Sequence, residues 1–306
     1  MQEPERPFRV DRDRPAMYNG AEDEDKAVGF SMERKWTELG SVKNEMVKRV
    51  SLMKTPVGSR KTGCFLVEGV RSIDELLKAP DFKIEAVFAE ETLVQENPGY
   101  IRSLGESLPP EVRTYRVSRE VFARLSDTQT PQGILASVQR RNFSVRDLEK
   151  GTGPALLCIL ENLQDPGNAG TILRTADSAG ADGLICTRGT VDFYSPKVVR
   201  SAMGSLLHLP TARVSSLSET AAELKSRGIR LAAADLSGDR YHYEEDFTGP
   251  TAFLIGNEGS GLSQEALALA DVRVKIPMLG RAESLNAGVA AGVLLYEAVR
   301  QRSRKQ

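Results

Sequence analysis

The sequence predicts an α/β protein of two domains, on three observations. Strand and helix signals alternate along most of the chain. One strand signal, ALLCILE from Ala155, is a continuous apolar run of the buried parallel type. The length of 306 residues suggests roughly two domains and allows a core that needs no disulfide or metal staple.

Residues 1–33 are rich in Pro, Asp, Glu and Arg without an apolar period and read as a disordered tail, with structure starting near Arg34 to Gly40. In 41–61, Val42, Met46, Val47, Val50 and Met53 recur at helical spacing. Lys43, Lys48, Arg49, Lys54, Arg60 and Lys61 accompany them, with Glu45 the only acid. That pattern fits a solvated helix face or a phosphate-contacting patch. CFLVEG then predicts a strand, and VRSIDELLKA a helix with Ile73, Leu76 and Leu77 on one face. IEAVFA is a strand, the stretch through YIRSLGESL helical, TYRVS a strand, REVFARLS a helix and GILASVQ a closing strand. These make an N-terminal α/β domain over 34–139, followed by a linker over 140–153.

The second domain, 154–306, opens with ALLCILE. DPGNAG leads to a helix (TILRTADSAG) and a strand (DGLICT). A long connection, DFYSPKVVRSAMGSLLHLP, precedes a short strand. The helix SETAAELKSRG, the strands RLAAAD and TAFLIG, the helix QEALALA, the strand VRVKIP and a last helix from about Ser284 to Arg300 follow, giving five or six strands.

Composition excludes several function classes. Lys+Arg total 41 against 42 Asp+Glu, a net charge of −1, so bulk electrostatics do not drive nucleic-acid binding, although a local basic patch remains compatible. Cys64, Cys158 and Cys186 are far apart without C-x-x-C spacing, so no disulfide framework or zinc site is expected, only reduced, mostly buried thiols of a cytoplasmic protein. With two histidines, His208 and His242, multi-His metal chemistry is disfavoured. No apolar run approaches the ~20 residues of a membrane span, and the first residues carry no hydrophobic signal core.

Three loops carry candidate chemistry, each between a strand and a helix, where open α/β sheets bind ligands. In 161–183, Pro166 and Gly167 make a tight turn and Asn168 is a candidate helix cap. Ile172, Leu173, Ala176 and Ala179 form the buried stripe and Arg174 lies off it. Asn162, Asn168 and Arg174 could converge at the helix N-terminus, where amides attract anions; taken alone, these residues read better as a well-capped helix with a solvated arginine. In 254–263, Gly256, Gly259 and Gly261 permit close approach to the backbone, with Glu258 inside the turn. The spacing is neither a P-loop nor G-x-G-x-x-G, which disfavours an ATPase or a dinucleotide enzyme. In 276–302, Ser284 can cap the last helix, whose stripe is Leu285, Val289, Val293 and Tyr296. Gly288 and Gly292 sit mid-helix at a cost of about 1 kcal/mol each, which points to close packing by a ligand or another helix.

In this order and spacing the three segments resemble the motifs of the SpoU (TrmH-type) RNA 2′-O-ribose methyltransferases of the SPOUT superfamily. N-x-x-D-P-x-N-x-G-x-x-x-R is matched by Asn162, Asp165, Pro166, Asn168, Gly170 and Arg174; G-N-E-x-x-G-L by Gly256 through Leu262; and I-P-M-x-G-x-x-E-S-L-N by Ile276 through Asn286. SPKVVRSAMG also resembles the family, and FLVEG and LSDTQTPQGILA resemble its N-terminal substrate-binding domain. Ala287-Gly288 departs from the residues usual after SLN.

The resemblance implies an α/β fold whose C-terminal methyltransferase domain is trefoil-knotted, an exception to the unknotted rule, with a smaller N-terminal α/β domain. It implies S-adenosyl-L-methionine as cofactor, RNA (rRNA favoured) as partner, a homodimer with the active site at its interface, and neither membrane nor metal. By carry-over, Arg174, Asn168, Glu258, Ser284 and Asn286 are the catalytic set. Gly256, Ile276, Met278, Gly280 and Leu285 hold the cofactor. The basic stretch, through Lys48, Arg49, Arg60 and Lys61, is expected to contact RNA, together with Lys197 and Arg200. The competing expectations are a tRNA methyltransferase and a knotted RNA-binding protein without catalysis.

Overall fold

The computed structural model describes residues 34–148 and 153–303; the expected tail, 1–33, lies outside the described residues. The first sheet combines β1 (Thr37–Leu39), β2 (Cys64–Glu68), β3 (Ile84–Glu90), β4 (Arg113–Val117) and β5 (Ile134–Gln139) in the order β1-β4-β3-β5-β2. β1, β4 and β3 run parallel, while β5 is antiparallel to both β3 and β2, so this sheet is mixed. β1 is the strand that the sequence pattern did not disclose: three residues with only Leu39 buried leave no alternation to read.

The basic stretch is two helices, α1 (Glu45–Leu52) and α2 (Pro56–Thr62). Pro56 cannot continue the first helix, because it lacks the N–H and its ring clashes with the preceding turn. It opens the second one instead, with Thr55 Oγ1 accepting from the Gly58 amide at 3.1 Å. Val47, Val50 and Met53 are the buried face. Further on come α3 (Val70–Leu77), α4 (Glu91–Glu96), α5 (Pro98–Ser107) and α6 (Arg119–Leu125).

The second sheet has seven parallel strands rather than five or six: β6 (Leu156–Leu160), β7 (Gly183–Cys186), β8 (Thr211–Arg213), β9 (Arg230–Ala234), β10 (Arg240–Tyr241), β11 (Thr251–Ile255) and β12 (Val272–Lys275). Their order is β10-β12-β9-β11-β6-β7-β8. The helices are α7 (Pro166–Ser178), α8 (Pro196–Ser201), α9 (Leu217–Ser226), α10 (Gln264–Leu269) and α11 (Ala287–Ser303). α8 lies inside what the sequence shows as one long connection; at six residues it is too short to display a period. From β6 the chain steps outward through β7 and β8, then crosses to the far side of β11. The crevice at the carboxyl ends of β6 and β11 is therefore a topological switch point, the place where open parallel sheets bind ligands.

Residues 140–148 are not a free connection. Phe143 bridges to Ala212, and Val145 and Leu148 are buried in a short 3-10 turn. Arg140 and Arg60 both donate to the buried Asp192, at 3.0 and 2.9 Å. The Phe65 and Tyr194 rings pack at 4.7 Å between centroids. One apolar cluster runs from Phe65 and Val87 under the first sheet to Leu160 and Ile172 under the second, so the two sheets share a core. Cys64, Cys158 and Cys186 are buried free thiols, and burial pushes Cys64 up to about 11 and Cys186 to about 12.

Candidate active site

All three motif loops leave the carboxyl ends of strands: 161–165 after β6, 256–263 after β11 and 276–286 after β12. A chain of hydrogen bonds joins them. Glu258 accepts from the amides of Asp165 (2.9 Å) and Gln164 (3.2 Å) and from Asn168 Nδ2 (3.1 Å). Asn168 Oδ1 accepts from Asn286 Nδ2 at 2.8 Å, and Asn286 Oδ1 accepts from the Gly288 and Val289 amides. Burial alone would raise the Glu258 carboxyl. The hydrogen bonds from Asn168 and from the amides of Asp165, Gln164 and Glu258 itself outweigh it and hold the group below its usual range.

This geometry corrects several expectations. Asp165, not Asn168, caps α7: its Oδ1 accepts from the Asn168 amide at 2.8 Å, and the helix starts at Pro166. Asn286, not Ser284, caps α11, which starts at Ala287. In both, the side chain one position before the helix reaches back to the N2 or N3 amide, whereas Asn168 and Ser284 stand on the wrong turn to do so. At the entry to α7, Glu258 takes the amides of Gln164 and Asp165 and the Asp165 carboxylate takes that of Asn168.

The glycines have internal causes. A Cβ on Gly256 would lie 2.2 Å from the carbonyl carbon of Gly261, because the loop folds back between Asn257 and Gly261. Gly261 has φ +68°. Asn257, which spacing alone did not single out, builds the turn: its Oδ1 accepts from the Gly259 and Ser260 amides and its Nδ2 donates to the Asn162 carbonyl at 2.9 Å. Gly288 and Gly292 face Thr171 and Thr175 of α7, so a helix crossing accounts for them.

Between the second and third loops lies a cavity of about 190 Å³. Gly256, Ile276, Met278, Ser284 and Leu285 line it, with Asp235 and Glu258 as its acids. Gly280 belongs to the same irregular segment, exposed, with open space around its Cα. Arg174 is elsewhere. It lies two turns along α7 from the Asn168 network and lines a second cavity, of about 970 Å³, between α3 and the α7–α8 region. The expected convergence of Arg174 with Asn162 and Asn168 is therefore not formed within one chain.

The basic residues also have uneven surroundings. Arg49 is held by Glu85 (2.9 Å), Arg60 by Asp192 and Arg200 by Asp127 (2.9 Å). Lys48 pairs with Glu45 of its own helix. Lys61 and Lys197 are exposed. Sequence distance hid the acids that oppose three of the six. Among the described residues no group of His, Cys, Asp or Glu is arranged to hold a metal ion, and no helix is long and apolar enough to cross a membrane.

Comparison with known proteins agrees with this architecture. The model of the SpoU rRNA Methylase family matches residues 155–296, and that of the MRM3-like substrate binding domain matches 44–136. The chain is 32% identical to the 23S rRNA (guanosine(2553)-2′-O)-methyltransferase RlmP of Bacillus subtilis, over 85% of this chain and 98% of that protein. It is 36% identical to the 23S rRNA (uridine(2479)-2′-O)-methyltransferase of Streptomyces viridochromogenes, over 79% and 84%. The crystal structure of the SpoU methyltransferase AviRb from Streptomyces viridochromogenes with AdoMet superposes with a TM-score of 0.78 at 33% identity, covering 85% of this chain and 99% of that one. A sheet with its three loops joined at the switch point, and relatives matched almost end to end, lead to one conclusion: the chain belongs to the SpoU rRNA methylase family.

Proposed function

We propose that this protein is a cytoplasmic, S-adenosyl-L-methionine-dependent methyltransferase acting on a ribose 2′-hydroxyl of rRNA. The observation that carries the reading is the hydrogen-bond chain Glu258–Asn168–Asn286, which ties three loops around one cavity in a member of this family.

The cavity fits the cofactor. Ile276, Met278 and Leu285 offer apolar walls to a flat base, beside the charged groups of Asp235, Glu258 and Lys275. Gly256, Ile276 and Leu285 would hold the group, with Met278 and Gly280 in the same loop. When bound, S-adenosylmethionine supplies an electrophilic methyl group. The chain's own residues must then align the ribose hydroxyl and stabilise its oxygen as the proton leaves. Glu258 is unsuited to be the base, since four donors occupy its oxygens; with Asn168 and Asn286 it sets the loop geometry, and Ser284 faces the cavity. The Arg174 guanidinium offers a fork of donors and no acceptor. It serves as a clamp on a phosphate or on the developing alkoxide.

A homodimer follows from the same reading. Leu285, Val289 and Tyr296 are exposed apolar residues of the third motif and α11, and Leu285 also lines the cavity. A second copy covering this face would close the cavity and bring a second Arg174 toward it. The trefoil knot of the family is proposed for 154–306 on the matching loop order, and RNA selection is assigned to 34–139 with Lys61 among its exposed cations, joined by Lys197 from α8. The decisive experiment is Arg174→Ala. Methyl transfer to rRNA should be abolished in a tritium assay while calorimetric binding of S-adenosylmethionine survives; equal loss of both overturns the assignment.

A further inference from the structure

We propose that Met203 is a positioning residue, which holds the Arg174 guanidinium in the cavity between α3 and the α7–α8 region; the proposal rests on the role given to Arg174 above. Arg174 Nη1 is in direct contact with Met203 Sδ, and both residues line that cavity. Met203 has φ +49°, a left-handed conformation that non-glycine residues rarely adopt. The neighbouring Gly204 has φ +93°, so the chain puts methionine rather than a second glycine at the strained position. Burial does not explain the choice, because Met203 is 66% exposed.

The register that sets this contact is built into α7. Gly170 and Arg174 are one turn apart on the same face. Gly170 leaves room for Ser201, whose Oγ would be 1.8 Å from a Cβ there, and Ser201 Oγ donates to the Pro166 carbonyl at 3.1 Å. The end of α8 is thereby fixed on the first turn of α7, and Met203, two residues later, meets Arg174 one turn further on. A thioether is a weak, uncharged acceptor. It orients the guanidinium without pairing with its charge as a carboxylate would, in a cavity that Glu68, Asp74, Glu75 and Asp177 also line.

The test compares Met203→Leu, which keeps bulk and loses the acceptor, with Met203→Gln, whose amide oxygen reaches a similar point. Met203→Leu should lower kcat/KM on rRNA roughly tenfold, the effect of losing one hydrogen bond to a charged group, with thermal midpoint and S-adenosylmethionine affinity unchanged. Met203→Gln should recover most of the activity. Wild-type activity in Met203→Leu, equal loss in both variants, or a lowered midpoint that accounts for the loss would each overturn the proposal. Arg174→Ala measured alongside separates the premises: if it stays active, the role of Arg174 falls, whatever Met203 does.

Discussion

Glu258 sits in a glycine-rich turn, yet its oxygens face three donors from the first motif. A carboxyl whose folded pKa lies below its unfolded value stabilises the fold above that unfolded value, and the contribution is lost as pH falls through the folded one. Glu258→Gln turns one acceptor into a donor against those amides. Its thermal midpoint should lie below wild type at neutral pH, and the gap should close as pH falls below about 4, near the ordinary glutamate range. A gap independent of pH would remove the carboxylate from the account. The importance of Glu258 is legible in the sequence from its place in the turn. Its partners are not, since the amide of Asp165 is 93 residues away. The caps show the same limit at short range: Asp165, Asn168, Ser284 and Asn286 are all competent capping types, and only the backbone path selects Asp165 and Asn286.

At the scale of elements, the small residues of α7 and α11 record two different crossings. A Cβ at Gly170 would meet Ser201 Oγ at 1.8 Å and the Ser201 backbone carbon at 2.9 Å. Gly170→Ala should therefore destabilise by roughly 1–3 kcal/mol through overpacking. At Gly292 the nearest atom would be Thr175 Cγ2 at 3.5 Å, an ordinary contact. Gly292→Ala should be neutral or gain up to about 1 kcal/mol of helix propensity. Urea denaturation of both variants checks the contrast, and the same sign for both would contradict the crossing geometry. Mid-helix glycine is visible in the sequence, but which neighbour requires it is not. Strand signals were legible wherever burial made them continuous, as in β6 and β11; β1 and α8 were missed because three and six residues carry too little period.

For the whole molecule, the junction of the two sheets is held by Asp192, which is 7% exposed at its side chain and receives Arg140, Arg60 and the Tyr194 amide. Asp192→Ala strands the half-buried Arg140 and should cost roughly 3–5 kcal/mol. Breaking the exposed Arg146–Glu223 pair with Arg146→Ala should cost less than about 1 kcal/mol. Equal midpoints for the two variants in thermal unfolding would show that Asp192 is no latch. Two arginines that look like free cations along the chain, Arg49 and Arg60, are thus committed to Glu85 and Asp192. The α/β class, the strand–loop–helix order and the three motif loops were legible in the sequence, because periodicity, turn residues and motif spacing are local properties. Only the tertiary structure decided which carboxylate meets which amide, which cavity Arg174 enters and which cations remain available. Those depend on contacts such as Arg60 with Asp192, 132 residues apart, for which a linear pattern holds no signal.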